Sequence, residues 1–368
     1  MANIATRCLS SFVEAESSRK LVTIRKIGDL LPIVKADNLE LAVVDGWRVV
    51  VRKGDVAVGD KCVFFEIDSF LPEGNDLWKH LVDKKSIVFN GKRGHRVKSV
   101  RLMGALSQGF VLPLRQLPEL ENLPRDIDVA TFLGVTKFEE EEVEGAGPFP
   151  SFIPKTFQER CQNIVDRIFP DALNTPYEIT MKVDGCSLTS FFDGPNQPIG
   201  IASRNLRVNQ GPYVAAVKEI GLDQAITRFY EKTSRSIAVQ AELMGPGRNG
   251  NREQFKEVHL VVFDVFDIDA QKYLPPAATR ALVQELCTLG APRLEHAPVL
   301  YEAATLAELG VNSLEQLLAF AEGPSMKHTV REGIVFKIAH GEGGDRRSQL
   351  GVPQSFKVLS NAFLLKQK

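Results

Sequence analysis

The chain has 368 residues, 44% of them hydrophobic and 25% charged, with a formal net charge of −1. That length is too great for one ordinary core and suits two domains of a soluble, globular kind. The near-neutral balance excludes a global pull toward nucleic acid, so any polyanion site has to be a local patch, and no apolar run is long enough to span a membrane.

The first twenty residues lack a continuous apolar stretch and carry Glu14 and Glu16, which argues against a secretory or organellar leader. Five scattered cysteines (Cys8, Cys62, Cys161, Cys186, Cys287) form no C-x-x-C pair. Reduced thiols are expected, without a disulfide framework or a zinc site, in an intracellular reducing compartment, cytoplasm or nucleus.

Residues 21–135 read as all-β, with short strands in "LVTIRKIGDLLPI", "LELAVVDGWRVVVRKG", "KCVFFEIDSFLP" and "QGFVLPL". Asp45-Gly46 between "LAVV" and "WRVVV" predicts a two-residue hairpin turn. The expectation is an OB-like barrel over residues 15–136; the spacing alone equally allows another small β-barrel. Within it, residues 84–101 carry seven cations and no acid: Lys84, Lys85, Lys92, Arg93, Arg96, Lys98 and Arg101. With Phe89 and His95 interleaved, they form a candidate RNA-binding strip, set against a solvated basic hairpin. Residues 137–155, with an acidic run from Glu139 to Glu144 leading into Gly and Pro, read as a linker.

Residues 156–368 mix helices ("TFQERCQNIVDRIF", "RALVQELCTLG", "VNSLEQLLAFAEG") with strands ("IAVQAEL", "VHLVVFDVFDI", "GIVFKIA"). The strands come in consecutive groups, so the class is α+β rather than doubly wound. Neither a P-loop nor a Rossmann fingerprint occurs.

The chemistry is concentrated in "EITMKVDGCSLTSFFDG", residues 178–194, where Lys182 ends one β-prone run and Asp184, Gly185 and Ser187 precede another. Desolvation and a nearby cation both lower a lysine's pKa, and a neutral lysine amine is a nucleophile. An isolated K-x-D-G is most often an exposed turn. Here it has ordered company: Arg204 in "ASRNL", Glu242 at the end of a β run, "FDVF" (263–266), Glu332 in "EGIV" and Lys357 in "SFKVLS".

This series resembles the covalent nucleotidyltransferase superfamily of polynucleotide ligases and messenger RNA capping enzymes. The K-x-D-G-x-[ST] motif is matched by Lys182, Asp184, Gly185 and Ser187, and the later motifs follow in order as far as Lys357. With "GDKCVFFEIDSFLPEG", "RLMGALSQGFVLPL" and "FPSFIPKTFQERCQN", the likeness extends to nick-sealing ATP-dependent RNA ligases that carry an N-terminal OB domain.

The resemblance implies an ATP-grasp-like ligase domain over 156–368, of antiparallel sheets flanked by helices. It implies that Lys182 takes AMP from ATP and that Asp184, Glu242 and Glu332 organise Mg2+ or Mn2+. Lys357 would contact the α-phosphate, Arg160 the triphosphate or the RNA 5′-phosphate, and Arg204 the ribose or RNA phosphate. Gly185 would leave room for the nucleotide, and Phe263 or Phe266 would stack on adenine; alternation places these two on opposite faces. Lys337 is either a phosphate ligand or an edge-strand lysine. The loops "GRNGNR" (247–252) and "GEGGDRRSQ" (341–349) either clamp phosphates or move freely.

Eleven residues follow Lys357, too few for the C-terminal OB domain of capping enzymes and most DNA ligases, so the expectation favours an RNA ligase over either. A decayed, non-catalytic RNA-binding protein is the reading from another class. The expected partners are ATP and RNA, as a nicked duplex, and no membrane; the expected state is a monomer whose N-terminal domain serves joining rather than AMP transfer.

Overall fold

The computed structural model describes residues 19–139, 145–192, 194, 198–340 and 351–366. The chain divides into two compact units, residues 1–140 and 141–368.

The first unit is built from β1 (Val22–Lys26), β2 (Asp29–Pro32), β3 (Leu39–Val44), β4 (Trp47–Arg52), β5 (Lys61–Phe65), β6 (Ser69–Pro72), β7 (Ile87–Phe89), β8 (Lys92–Arg96), β9 (Ser99–Leu102), β10 (Ala105–Gln108), β11 (Phe110–Pro113) and β12 (Thr136–Lys137). These join as small sheets in the orders β1-β5-β11, β2-β3-β4, β12-β6-β8-β7 and β10-β9. In β4 burial alternates, with Trp47, Val49 and Val51 turned inward, the pattern of a strand with one wet face. Val44 pairs with Trp47, so Asp45-Gly46 is the two-residue turn, with Asp45 left-handed at φ 51°. One core gathers Val22, Ile24, Phe65, Trp78 and Leu112, and a second gathers Ala42, Trp47, Val49 and Phe64.

The second unit contains β13 (Gly147–Pro148), β14 (Glu159–Arg160), β15 (Tyr177–Lys182), β16 (Cys186–Phe191), β17 (Gly200–Ala202), β18 (Leu206–Val208), β19 (Ile237–Met244), β20 (His259–Asp267), β21 (Lys272–Tyr273), β22 (Leu294–His296), β23 (Val299–Ala304), β24 (Gly333–Ile338) and β25 (Ser355–Leu359). The larger sheet runs β13-β18-β17-β16-β19-β20-β21, with β22 also on β20; the smaller runs β14-β25-β24-β15-β23. Most pairings are antiparallel, with β14 parallel to β25 and β22 parallel to β20.

Helices Pro212–Ile220, Leu222–Thr233 and Pro276–Thr288 cover one face of the larger sheet, burying Val217, Ile226 and Leu286 against Leu188, Val239, Ala241 and Val262. Helix Leu314–Phe320 contributes Leu317 to a cluster with Ile179, Ile334, Phe336 and Phe356 on one face of the smaller sheet. That leaves the other face of each sheet for the site. The first two of these helices were not among the helices read from the sequence, although Pro212 at a first helical position and Gly221 at the junction mark both ends of one.

Two expectations change. "TFQERCQNIVDRIF" is not one helix: Glu159–Arg160 is strand, Cys161–Asn163 a 3-10 turn, and only Val165–Ile168 is α-helical. Sheet pairing beside β25 outcompetes the helical period. The stretch 137–155 is not a spacer throughout, because β12 ends at Lys137 and β13 extends the larger sheet. Phe149 and Ile153 are buried with Phe191, Phe266 and Tyr273, an apolar seat that the Gly/Pro composition concealed. Residues 140–144 of the acidic run, residues 15–18, Cys8 and the loop 341–349 lie outside the described residues.

Candidate active site

Lys182 is the last residue of β15 and stands opposite Gly333, the first of β24. That register sets Glu332 beside it, and Lys182 Nζ donates to Glu332 Oε2 at 2.6 Å. Gly333 permits the approach: a Cβ there would lie 2.2 Å from the Val358 carbonyl oxygen. Glu332 is held from both sides. Its carbonyl accepts from Ser360 N at 2.9 Å, and the preceding Arg331 donates to the carbonyls of Phe320, Ala321 and Glu322 at 2.7–2.9 Å.

From β15 the chain crosses to the larger sheet through Asp184 and Gly185. Ser187 on β16 pairs with Glu242 on β19, and Glu242 Oε1 accepts from Gly185 N at 3.1 Å. A Cβ on Gly185 would meet the Leu243 carbonyl oxygen at 2.5 Å and Glu242 Cγ at 3.0 Å. The neighbouring strand by itself therefore leaves no room for a side chain at this position.

Three carboxylates thus surround one amine, and their charges compete. Burial pushes Asp184 up to about 6, with Glu332 adding to the rise and Lys182 and Arg252 opposing it. Burial likewise pushes Glu242 up to about 7, opposed by Lys182. For Lys182 burial alone favours the neutral amine, but Glu332, then Glu242 and Asp184, outweigh it and hold the ammonium above its ordinary range. This reverses the expected direction, because the nearby charges are acids rather than a cation. Among the described residues, no three His, Cys, Asp or Glu side chains form a ready-made metal cage.

At the β14 edge of the smaller sheet the strands bring two cations together. Lys357 pairs with Val335 of β24 and, on its other side, with Arg160 of β14. Arg160 is 5% exposed and lies on a strand rather than the expected helix. Arg204 is exposed in the turn between β17 and β18 rather than on a strand.

Lys337 is buried: Nζ donates to Asp264 Oδ1 at 2.9 Å and to the Phe263 carbonyl. β24 lies between β15 and β25, so Lys337 is not an edge-strand lysine, and its amine is taken up by Asp264. Phe263 falls at a break in register, where Gln240 opposes Asp264 while Ala241 opposes Val262. That extra residue defeats the alternation expected for Phe263 and Phe266. Phe263 packs half-buried beside Met181 and Val261, whereas Phe266, 4% exposed, lies in the core against Tyr273.

In the first unit, Lys84, Lys85, Lys92 and Arg101 are exposed and Lys98 is half-buried. Arg96 bonds Asp68 Oδ1 at 2.7 Å beneath the Phe138 ring, and Arg93 bonds Glu73 Oε1 at 3.1 Å. Phe89 packs on Phe70 and Phe138, and His95 Nδ1 meets the Lys85 carbonyl at 2.7 Å, so the interleaved rings are structural.

Reading the motifs missed the side chains that hold Asp184. Asn249 Nδ2 donates to Asp184 Oδ1 at 2.5 Å and Arg252 Nη1 to Oδ2 at 3.4 Å. The cations of "GRNGNR" were the available signal, but nothing in the chain order points them at Asp184.

An RNA ligase family profile matches residues 175–358 and an OB-fold domain profile matches residues 21–114. No curated protein sequence matches. Among solved structures, an apo mutant of Naegleria gruberi RNA ligase has a TM-score of 0.83 at 37% identity, covering 95% of this chain and 98% of that one. Another mutant of that ligase, with ATP and Mn, and the ligase with PPi each give 0.82 at 36% identity, over 94% and 98%. The fold is thus an OB-fold domain followed by an α+β ligase domain of antiparallel sheets, and the chain belongs to the RNA ligase family.

Proposed function

We propose that the chain is an ATP-dependent RNA ligase that joins a 3′-hydroxyl to a 5′-phosphate, at nicks in duplex RNA, with AMP carried on Lys182. The observation that carries this reading is the 2.6 Å contact of Lys182 Nζ with Glu332 Oε2, at the junction where Asp184 and Glu242 also converge. The match to a ligase that has been solved with ATP and Mn supports the nucleotide and the metal.

In the first step the neutral Nζ attacks the α-phosphorus of ATP; an N–P bond forms, the bond to the bridging oxygen breaks, and pyrophosphate leaves. Lys182 must first give up its proton, and Glu332 Oε2 is the acceptor already in hydrogen-bond contact. Lys357 and Arg160 would offset charge on the α-phosphate and the leaving group, because phosphoryl transfer depends chiefly on positioning and charge stabilisation. Glu242, raised to about 7, suits a hydrogen bond with a ribose hydroxyl, and Phe263 offers its ring to adenine. Arg204, exposed in its turn, is assigned to RNA phosphate.

Asp184, Glu242 and Glu332 are the residues that would hold Mg2+ or Mn2+. Their crowding, seen in the raised Asp184 and Glu242, fits a site short of positive charge, and carboxylate oxygens are the donors such hard cations take. Bound there, the ion supplies the charge that disfavours the Lys182 ammonium. In the later steps the 5′-phosphate takes AMP from Lys182, and the 3′-oxygen then displaces AMP. Lys84, Lys85, Lys92, Lys98 and Arg101 are assigned to the RNA backbone.

Incubation with α-labelled ATP and Mn2+ should label the protein through an acid-stable, hydroxylamine-sensitive bond, while α-labelled GTP should not. Labelling that persists in Lys182→Ala would refute the assignment. A nicked RNA duplex with 3′-hydroxyl and 5′-phosphate ends tests the joining step.

A further inference from the structure

We propose that Arg252 is a positioning residue for the AMP-transfer step. Its guanidinium spans Asp184 and the segment that leads into Glu332, and so sets the spacing of the two carboxylates about Lys182. The inference rests on the ligase reading above.

Arg252 Nη1 reaches Asp184 Oδ2 at 3.4 Å, while Nη2 lies 3.3 Å from both the Val330 carbonyl oxygen and His328 Nδ1. The Phe363 ring lies 4.5 Å from the guanidinium carbon. Val330 is two residues before Glu332, so one planar group is tied to Asp184 directly and to the backbone that leads into Glu332. A lysine has a single nitrogen and no plane, and cannot make this bridge and this stack together.

The loop that delivers Arg252 is braced on both sides of it. Asn249 holds the other Asp184 oxygen, at 2.5 Å. Asn251 exchanges hydrogen bonds with Phe255 at 2.9 and 3.1 Å, and Phe255 is buried against Met181, Val183 and Val261. Glu253, 4% exposed, accepts from Lys327 N at 2.5 Å and from Ser325 Oγ. Asn249, Gly250 and Asn251 all take left-handed φ, at 37°, 67° and 43°, conformations that Asn and Gly tolerate best. The loop is therefore shaped to seat Arg252, and Arg331, fixed to three carbonyls next to Glu332, gives the bridge a firm far end. This differs from a loop cation that waits in solvent for a phosphate.

The test compares full-length wild type with Arg252→Lys, Arg252→Gln and Phe363→Leu, the last removing the stack but no hydrogen bond. Single-turnover labelling at saturating ATP and Mn2+, the KM for ATP, and Mn2+ affinity by EPR with a non-hydrolysable ATP analogue are measured on each. Losing a residue that orients a metal-holding carboxylate typically costs 10–100-fold, so both Arg252 variants should lose about that much in saturating rate and should bind Mn2+ more weakly. KM for ATP should change less than about threefold. Phe363→Leu should show a smaller loss of the same kind.

A raised KM with an unchanged saturating rate would make Arg252 a phosphate ligand and overturn the inference. So would full activity and Mn2+ affinity in Arg252→Lys. Should the Arg252 variants fail to fold, an unchanged rate and Mn2+ affinity in Phe363→Leu overturns it. Absence of labelling in the wild type would instead sink the ligase reading.

Discussion

Lys337 and Asp264 form a buried ion pair, Nζ to Oδ1 at 2.9 Å, that ties β24 of the smaller sheet to β20 of the larger. Lys337 also donates to the Phe263 carbonyl, so the pair anchors the irregular point of β20 that carries the half-buried ring. Truncating one member leaves a buried charge uncompensated. Lys337→Ala should therefore cost about 3–5 kcal/mol in urea unfolding, and Lys337→Met with Asp264→Leu should recover much of it. A raised KM for ATP at unchanged stability would instead indicate a phosphate contact.

Phe263 and Phe266 should separate cleanly. Phe266→Ala removes a ring from the core and should cost about 3–5 kcal/mol of stability. Phe263→Leu should leave stability nearly intact and raise the KM for ATP roughly fivefold or more, as expected from losing a base–aromatic stack. The reverse pattern would move the adenine site.

His296 supplies a pH dependence. Burial, then the charge of Lys337, lowers it to about 4, so it is neutral in the folded protein at pH 7. The unfolded chain takes up a proton near pH 6.5 and the folded one does not. Its contribution is thus complete above about pH 6.5 and lost as pH falls toward 4. Between pH 7 and pH 5 the wild type should lose more stability than His296→Gln. Parallel unfolding midpoints at the two pH values test this, and equal losses would contradict it.

Gly333→Ala would drive a Cβ to within 2.2 Å of the Val358 carbonyl oxygen and 2.9 Å of Leu359 Cα. Backbone must move, at a cost of about 1–3 kcal/mol. Since Gly333 stands opposite Lys182, labelling at Lys182 should fall with thermal stability rather than alone.

Among the basic residues of the OB-fold unit, Lys84, Lys85 and Lys92 are the ones to neutralise, because Arg96 is engaged by Asp68 and Phe138. The triple alanine variant should weaken RNA binding and reduce the salt slope by about one for each lysine that touches phosphate. An unchanged slope would place the RNA elsewhere. Arg96→Ala should register as lost thermal stability.

Much of this protein is determined by local chemistry and can be read directly. Lys182, Asp184, Glu242, Glu332 and Lys357 stand out as an ordered series of motifs; Lys182 ends β15 and Glu332 directly precedes β24, while Glu242 and Lys357 lie within β19 and β25. The hairpin at Asp45-Gly46, the strands β19, β20 and β24, and the α+β class follow from short-range pattern in the same way. Only tertiary structure decided the rest. Pairing beside Lys357 made Arg160 a strand residue; one extra residue in β20 moved Phe263; and Asp264, far away in sequence, buried Lys337. The state of Lys182 was decided there too, since its charge depends on which acids the two sheets bring within reach, and Coulomb interactions follow distance in space rather than separation along the chain.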